Sequence, residues 1–234
     1  MSARGTPELS RLSGDVERRA ASRSGCYGLF AAALEYPDEP LCRAVREGEI
    51  SSGLRRALAD VAPELAVEPY AEALHDASSE DELAVEYTRL FDAAAGAAPC
   101  PLYDGAYAGD RMRVMEEAVR FYNYFGLKLS DTAGELPDHL STELEFLHYL
   151  GYREAEASQR GADPAPFQRA QRDFLARHPA RWIPEVCRRL ESNQAAPYFA
   201  ALFALLGRFL ERDLAELVAR LGPPTGADVP RAES

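Results

Sequence analysis

Apolar residues recur at intervals of three and four along most of the chain, which is the spacing that places them on one side of an α-helix. The clearest case is a last helix predicted over Tyr198 to Leu221. Its predicted buried stripe consists of Leu206, Phe209, Leu210, Leu214, Leu217 and Leu221. No stretch shows the alternation or the turn residues that indicate a β-hairpin. The sequence therefore predicts an all-α fold in a single domain over residues 1–221, followed by a disordered tail over residues 222–234.

Two predicted helices near the middle of the chain have recognisable signals at one end. The stretch "SSEDELAVEYTRLFDAA" opens with serine and acids, a typical helix N-terminus, and "GDRMRVMEEAVRFYNYFGL" ends at a glycine. In the first, the predicted apolar face consists of Leu83, Tyr87, Leu90 and Phe91. In the second, it consists of Met112, Met115, Val119 and Tyr122. Both helices are expected to pack on the core through these faces.

The segment "ELPDHLSTELEFLHYL", residues 135–150, combines a helix start with chemically active side chains. Pro137 suits the first helical turn, where its missing N–H is not needed. The predicted buried side of the helix consists of Leu140, Leu144, Leu147 and Gly151. Asp138 and His139 have two interpretations: Asp138 complements the helix dipole and His139 is a packed histidine, or both bind a ligand. His148 is interpreted as structural or exposed.

The charge of the chain restricts its partners. With 38 acids against 26 bases, the net charge is −12, which repels phosphate backbones and argues against nucleic acid. Ten acids lie between Asp60 and Asp92, where Arg89 is the one base. This run is either a solvated face or a docking surface for a basic segment.

The common signatures of enzymes and membrane proteins are missing from the sequence. Lys128 is the one lysine and follows Leu127, so a phosphate-binding loop is excluded, and neither GxGxxG nor GxSxG occurs. The cysteines lack CxxC pairing and are expected to be free, mostly buried thiols in a reducing cytoplasm: Cys26, Cys42, Cys100 and Cys187. The N-terminus has no apolar signal core, and the apolar run from Ala195 is shorter than the ~20 residues that span a bilayer. These features predict a cytoplasmic protein without stable membrane insertion.

Two catalytic interpretations of the His residues remain open at this point. Glu145-x-x-His148 and Glu72-x-x-His75 are the units that build di-metal carboxylate sites in ferritin-like bundles. However, His75 precedes a helix break, and Glu145 lies off the leucine stripe. Asp138 and His139 as an acid–base pair are disfavoured, since neighbours on a helix point about 100° apart.

Four blocks of the chain, taken in order, resemble a known family. "EYTRLF", "PLYDGAY", "RMRVMEEAVRFYNYFGL" and "ELPDHLSTELEFLHYL" resemble the redox-enzyme maturation chaperones of the TorD/DmsD/NarJ type in order and spacing. The resemblance is strongest from about Leu83 to Leu150. It implies a TorD-like helix bundle and a protein that is not an enzyme and carries no cofactor of its own.

The resemblance also implies a function, a partner and a site. Such chaperones bind the twin-arginine leader of an apo molybdenum oxidoreductase catalytic subunit, delay its export and assist insertion of the molybdopterin cofactor; the chaperone is a monomer or a homodimer. The leader-binding residues implied for this chain are Glu135, Pro137, Asp138, His139, Leu90, Phe91, Pro101 and Tyr103. Where members often carry Glu-Ser ahead of a loop tyrosine, this chain has Asp104 and Gly105. The resemblance therefore does not define which contacts that loop makes with a leader.

Overall fold

A computed structural model describes residues 14–65, 69–75, 79–92, 98–128 and 136–225 of the chain. Its α-helices are α1 (Asp15–Ala33), α2 (Glu39–Arg46), α3 (Glu49–Val61), α4 (Glu80–Phe91), α5 (Arg111–Tyr124), α6 (Leu140–Gln159), α7 (Ala165–Arg177), α8 (Pro179–Ser192) and α9 (Pro197–Leu221). Within these ranges no β-strand forms, and the all-α prediction is confirmed.

Helices α1 and α6 form the most extensive pair of the bundle, because small residues allow their backbones to approach closely. A Cβ atom on Gly151 would lie 3.2 Å from the backbone nitrogen of Ser24. Beside it, His148 Nδ1 lies 2.8 Å from the carbonyl oxygen of Ser24 and 2.9 Å from its hydroxyl. His148 therefore links two helices, in agreement with its structural interpretation.

Helix α9 supplies much of the hydrophobic core. Phe199, Phe203 and Phe209 are buried, and the stripe predicted from the sequence faces inward, although Leu214 and Leu221 are partly exposed at its edges. No helix of the described ranges, this 25-residue helix included, is both long and apolar enough to span a bilayer.

A buried ion network ties three of these helices together. Arg23 of α1 is 1% exposed and donates to Asp213 of α9 at 2.7 Å and to Glu154 of α6 at 3.0 Å. The second oxygen of Asp213 accepts from Tyr27 at 2.6 Å, and that of Glu154 accepts from Gln168 at 2.7 Å. Each carboxylate oxygen of the network therefore has a donor, as buried charges require.

Helix starts are capped by side chains at the positions that the sequence indicates. Ser79 and Glu82 form a capping box at α4, and Asp110 accepts from the backbone N–H of Arg113 at 3.1 Å at α5. Such caps typically contribute about 1 kcal/mol each. The predicted start of α4 is confirmed.

Two expectations about helices were wrong. On α5 Tyr122 is buried as predicted, but the other buried residues are Val114 and Ala118, whereas Met112 is 62% exposed. Pro137 lies in a turn before α6, which begins only at Leu140.

The cysteines are free, as predicted. Burial raises the pKa of Cys187 to about 11, so this thiol stays protonated and unreactive at neutral pH. In the segment where disorder is predicted, residues 222–225 lie against α7, where Arg172 donates to the carbonyl of Gly222 at 3.2 Å and to the hydroxyl of Thr225 at 2.8 Å. The rest of that segment lies outside the described residues.

Candidate functional site

Two segments that are distant in the sequence meet at the start of α6. The backbone N–H of Leu140 donates to the carbonyl of Leu102 at 2.9 Å, and an isolated antiparallel bridge joins Tyr103 to His139. Both leucines are buried in the core. This anchoring holds the Tyr103 and His139 side chains beside each other, with ring centroids 4.9 Å apart.

A cleft of about 650 Å³ opens next to this junction. Its lining residues come from the end of α1, from α4 and from the two paired segments: Tyr36, Tyr87, Phe91, Asp92, Ala98, Pro101, Leu102, Tyr103, Ala106, Arg111, Leu136 and His139. The lining is largely aromatic and apolar, with one arginine and one aspartate, which is the usual character of a site for a peptide or small molecule.

One wall of the cleft is a series of aromatic rings that continues into the core. Tyr36, 56% exposed, packs edge-on against Tyr87 at a centroid distance of 5.5 Å. Tyr87 packs against Phe91 at 5.1 Å, and Phe91 against Phe199 at 5.3 Å. Because the inner rings are fixed by core packing, the outer ones form a preformed apolar surface.

His139 has a structural role as well as a place in the cleft. It is the N-cap of α6, where its Nδ1 lies 3.3 Å from the backbone nitrogen and 2.7 Å from the hydroxyl of Ser141. The ring itself faces Tyr103. Capping and lining of the cleft are therefore compatible in this residue.

Asp138 lies fully buried behind the cleft, and the hydrogen bonds to its carboxylate are incomplete. Its Oδ2 atom accepts from the backbone N–H of Gly105 at 3.1 Å and lies 3.8 Å from Nε of Arg111. Among the described residues, its Oδ1 atom has no hydrogen-bond partner. A buried carboxylate normally has its oxygens satisfied, so this one has spare capacity for a donor.

A second group of buried polar residues lies below Asp138. Asp104 accepts a hydrogen bond from Arg181, and its other oxygen lies 3.0 Å from Nδ1 of His178. The same Nδ1 is 3.6 Å from Glu143, whose other oxygen accepts from the Trp182 indole at 3.2 Å. Within the described ranges, Glu143 Oε1 and His178 Nε2 have no hydrogen-bond partner.

Glu143 is the most perturbed acid of this group. Burial, reinforced by the charges of Asp104 and Asp138, raises the pKa of Glu143 well above the usual glutamate range. Protonation of Glu143 is therefore favoured relative to an exposed glutamate, because a further charge in this buried volume is costly.

The geometry of this group also suits a cation. Asp104, Glu143 and His178 each offer one ligand atom, and these atoms lie within 4.8 Å of one another. The guanidinium of Arg181 already supplies positive charge to Asp104. Neither Glu-x-x-His unit belongs to this group: His148 bonds Ser24, and His75 packs beside Gly48.

One cleft is lined by four of the site residues that are implied by the family resemblance. Phe91, Pro101, Tyr103 and His139 come from three different parts of the sequence and surround the same space. Their convergence is not visible in the sequence, where the first and last are 48 positions apart (139 − 91 = 48).

The other four have different placements. Asp138 lies behind the cleft, and the carbonyl of Pro137 accepts from the hydroxyl of Tyr122 at 2.8 Å. Leu90 is fully buried in the core and does not line the cleft. Glu135 lies outside the described residues.

Several site residues are absent from the sequence-based set. Tyr36, Tyr87 and Arg111 line the cleft, while Asp104 and His178 form the polar group behind it. The available signal for Asp104 was the long interruption between helices, which is often functional. Nothing local distinguishes His178, because its partner is 74 positions away.

Comparison with known proteins identifies relatives over most of the chain. The family model described as nitrate reductase delta subunit matches residues 48–188. The perchlorate reductase assembly chaperone protein of Dechloromonas aromatica (strain RCB) is 32% identical over 213 residues, 88% of this chain and 95% of that protein.

Two further relatives are similar over a shorter region. The selenate reductase assembly chaperone protein of Thauera selenatis is 42% identical over 137 residues, 58% of this chain and 70% of that protein. The chlorate reductase assembly chaperone protein of Ideonella dechloratans is 40% identical over 133 residues, 56% of this chain and 68% of that protein. The resemblance seen in the four sequence blocks is thereby confirmed. The chain belongs to the nitrate reductase delta subunit family and, like these relatives, is an assembly chaperone rather than an enzyme.

Proposed function

We propose that this chaperone acts in the cytoplasm on the catalytic subunit of a molybdenum oxidoreductase. It binds the twin-arginine leader of the apo subunit, delays its export and assists insertion of the molybdopterin cofactor. The relatives are named for reductases of selenate, perchlorate and chlorate, which supports a reductase of this general kind as client.

The observation that carries the proposal is Asp138, a buried carboxylate with an unpartnered oxygen next to an aromatic cleft. A leader arginine supplies what this carboxylate lacks, because a guanidinium donates two parallel hydrogen bonds. Each such charge-assisted bond is worth roughly 1.5–3 kcal/mol when shielded from water.

The rest of the cleft suits the remainder of a leader. An apolar helical stretch that follows the arginines packs against Tyr36, Tyr87 and Phe91, in the manner of a helix in a groove. The net charge of −12 attracts a basic peptide and accelerates its association. High salt is therefore expected to slow binding.

The first test retrieves the client. A tagged copy of the chain is expected to recover from its native host a large molybdenum-enzyme subunit with its twin-arginine leader still attached. Mass spectrometry identifies the subunit and the leader. Recovery of the same subunit only after its leader has been removed would contradict leader binding.

The second test locates the binding site. Asp138→Asn keeps the shape of the side chain and an acceptor for Gly105 but removes the charge. We expect leader affinity measured by titration calorimetry to fall at least about tenfold, which corresponds to 1.4 kcal/mol. The matched control is Asp81→Asn, which makes the same charge change on the exposed first turn of α4. Equal losses in both variants would show that only net charge matters.

A further inference from the structure

We infer that Arg111 is a built-in competitor that occupies the place of a leader guanidinium and must move out when the leader binds. This inference rests on the proposed leader site and adds to it a residue that sets the affinity for the leader. Arg111 is the first residue of α5 and is not among the residues that the family resemblance implies.

The contacts of Arg111 are those that a bound arginine would make. Its Cζ atom lies over the ring of Tyr103, 5.4 Å from the centroid, and its Nε lies 3.8 Å from Oδ2 of Asp138. Both partners border the cleft or lie behind it. The site thus offers a guanidinium one aromatic face and one carboxylate, and Arg111 is the group that takes them.

Gly105 makes room for the stem of this arginine. A Cβ atom at position 105 would lie 2.4 Å from Cγ of Arg111 and 2.8 Å from Oδ2 of Asp138. A real Cβ does not tolerate such distances, so any larger residue would force the two partners apart. The glycine in this loop therefore fits the resting position of Arg111.

The pair between Arg111 and Asp138 is weak enough to be displaced. A separation of 3.8 Å is too long for a hydrogen bond, and Oδ1 of Asp138 accepts no hydrogen bond from the part of the chain that the structure describes. The Arg111 side chain is 50% exposed, so water hydrates it readily once it swings outward. A guanidinium arriving from a ligand with bidentate geometry gains more than Arg111 loses.

Displacement of Arg111 weakens every ligand that uses this carboxylate by the same factor. Two guanidiniums cannot share the site, because like charges at contact repel each other. The free energy that Arg111 gives up on leaving does not depend on which cation replaces it. The preference for arginine over lysine therefore comes from the planar fork of the carboxylate, which a strongly hydrated ammonium does not match.

The test uses Arg111→Gln, with Arg113→Gln as its matched control. Both changes make the chain more negative by one charge, but Arg113 lines a different cleft, beside Asp110 and Arg181. The probes are synthetic peptides in which Arg-Arg or Lys-Lys precedes a run of leucine and alanine. Titration calorimetry measures the affinity of each peptide for the native chain and both variants.

We expect Arg111→Gln to bind the Arg-Arg peptide about two- to fivefold more tightly than the native chain, the range for loss of a half-exposed competing ion pair. The Arg113→Gln change has a smaller effect, and the preference for Arg-Arg over Lys-Lys stays the same in both variants, because the cost of displacing Arg111 is common to both peptides. Equal gains in both variants, or weaker binding by Arg111→Gln, would overturn the role of Arg111 while leaving the leader site intact. No binding of the Arg-Arg peptide by any of the three proteins would overturn the leader site itself.

Discussion

Two buried groups of charged residues in this bundle differ in how completely their carboxylate oxygens are hydrogen-bonded. In the network around Arg23, all four oxygens of Asp213 and Glu154 accept hydrogen bonds from within the helix bundle. Behind the cleft, Asp138 and Glu143 each keep one oxygen without a partner. Both groups are almost fully buried, so solvent does not account for the difference.

The difference separates a structural role from a binding role. Satisfied charges hold helices in register, whereas an unsatisfied buried acceptor is costly and persists where a ligand completes it. The sequence region that resembles a leader-binding block coincides with the unsatisfied group. Stability is therefore expected to depend on the network around Arg23, and leader binding on the acids behind the cleft.

The largest expected effect is on stability, from Arg23→Met. The change leaves Asp213 and Glu154 buried without their cation, and breaking such a network costs about 3–5 kcal/mol. Urea unfolding followed by circular dichroism measures the loss. The control is Arg19→Met on the same helix, where the half-exposed pair with Glu216 contributes at most about 1 kcal/mol. Equal costs in the two variants would contradict the structural role of the network.

A second effect concerns the pH dependence of stability, from Glu143→Gln. The pKa of Glu143 is raised in the folded state by burial, so above the usual glutamate pKa the unfolded chain releases a proton that the folded chain keeps. This group therefore lowers the free energy of unfolding as pH rises towards the raised folded pKa. The glutamine variant still accepts from Trp182 but cannot ionise, so it gains stability relative to the native chain.

The gain of Glu143→Gln should increase as pH rises above the usual glutamate pKa of 4.5 towards the raised pKa of the folded state, as measured by thermal unfolding scans. Glu145→Gln, an exposed change on the same helix, serves as the control. Parallel stability curves for the native chain and Glu143→Gln across this range would show that Glu143 is ionised in the folded protein.

The smallest expected effect comes from His139→Asn. Asparagine is a good N-cap, so α6 keeps its cap, and the free energy of unfolding should fall by about 0.5–1.5 kcal/mol for the lost ring contact with Tyr103. The variant also removes the imidazole from the lining of the cleft, and leader affinity should fall about two- to fivefold. Unchanged affinity in calorimetry would restrict His139 to its capping role.

Helical spacing predicted α9 and the buried side of α6 because their apolar residues are large and regularly spaced. It succeeded only in part on α5, where Tyr122 is buried as predicted but Val114 and Ala118, rather than Met112, Met115 and Val119, form the rest of the buried face. Both sets have helical spacing, and a small residue such as Ala118 gives little signal even when close packing requires it.

The site could be predicted only in part, and for a related reason. Asp138 and His139 stand out locally, since polar groups at the start of an apolar helix are visible in the sequence. The partners that give them their properties are distant: Gly105 and Arg111 reach Asp138 through tertiary folding. Burial and unsatisfied hydrogen bonds are properties of that packing, and no local pattern encodes them.

The most direct test of the central claim is a double-mutant cycle between the chaperone and its leader. Calorimetry measures four affinities: native chain and Asp138→Asn, each with the Arg-Arg peptide and with its Gln-Gln counterpart. Direct contact between Asp138 and a leader arginine predicts a coupling energy between about 0.5 and 3 kcal/mol. Additive effects within about 0.3–0.5 kcal/mol would contradict that contact and remove Asp138 from the leader site.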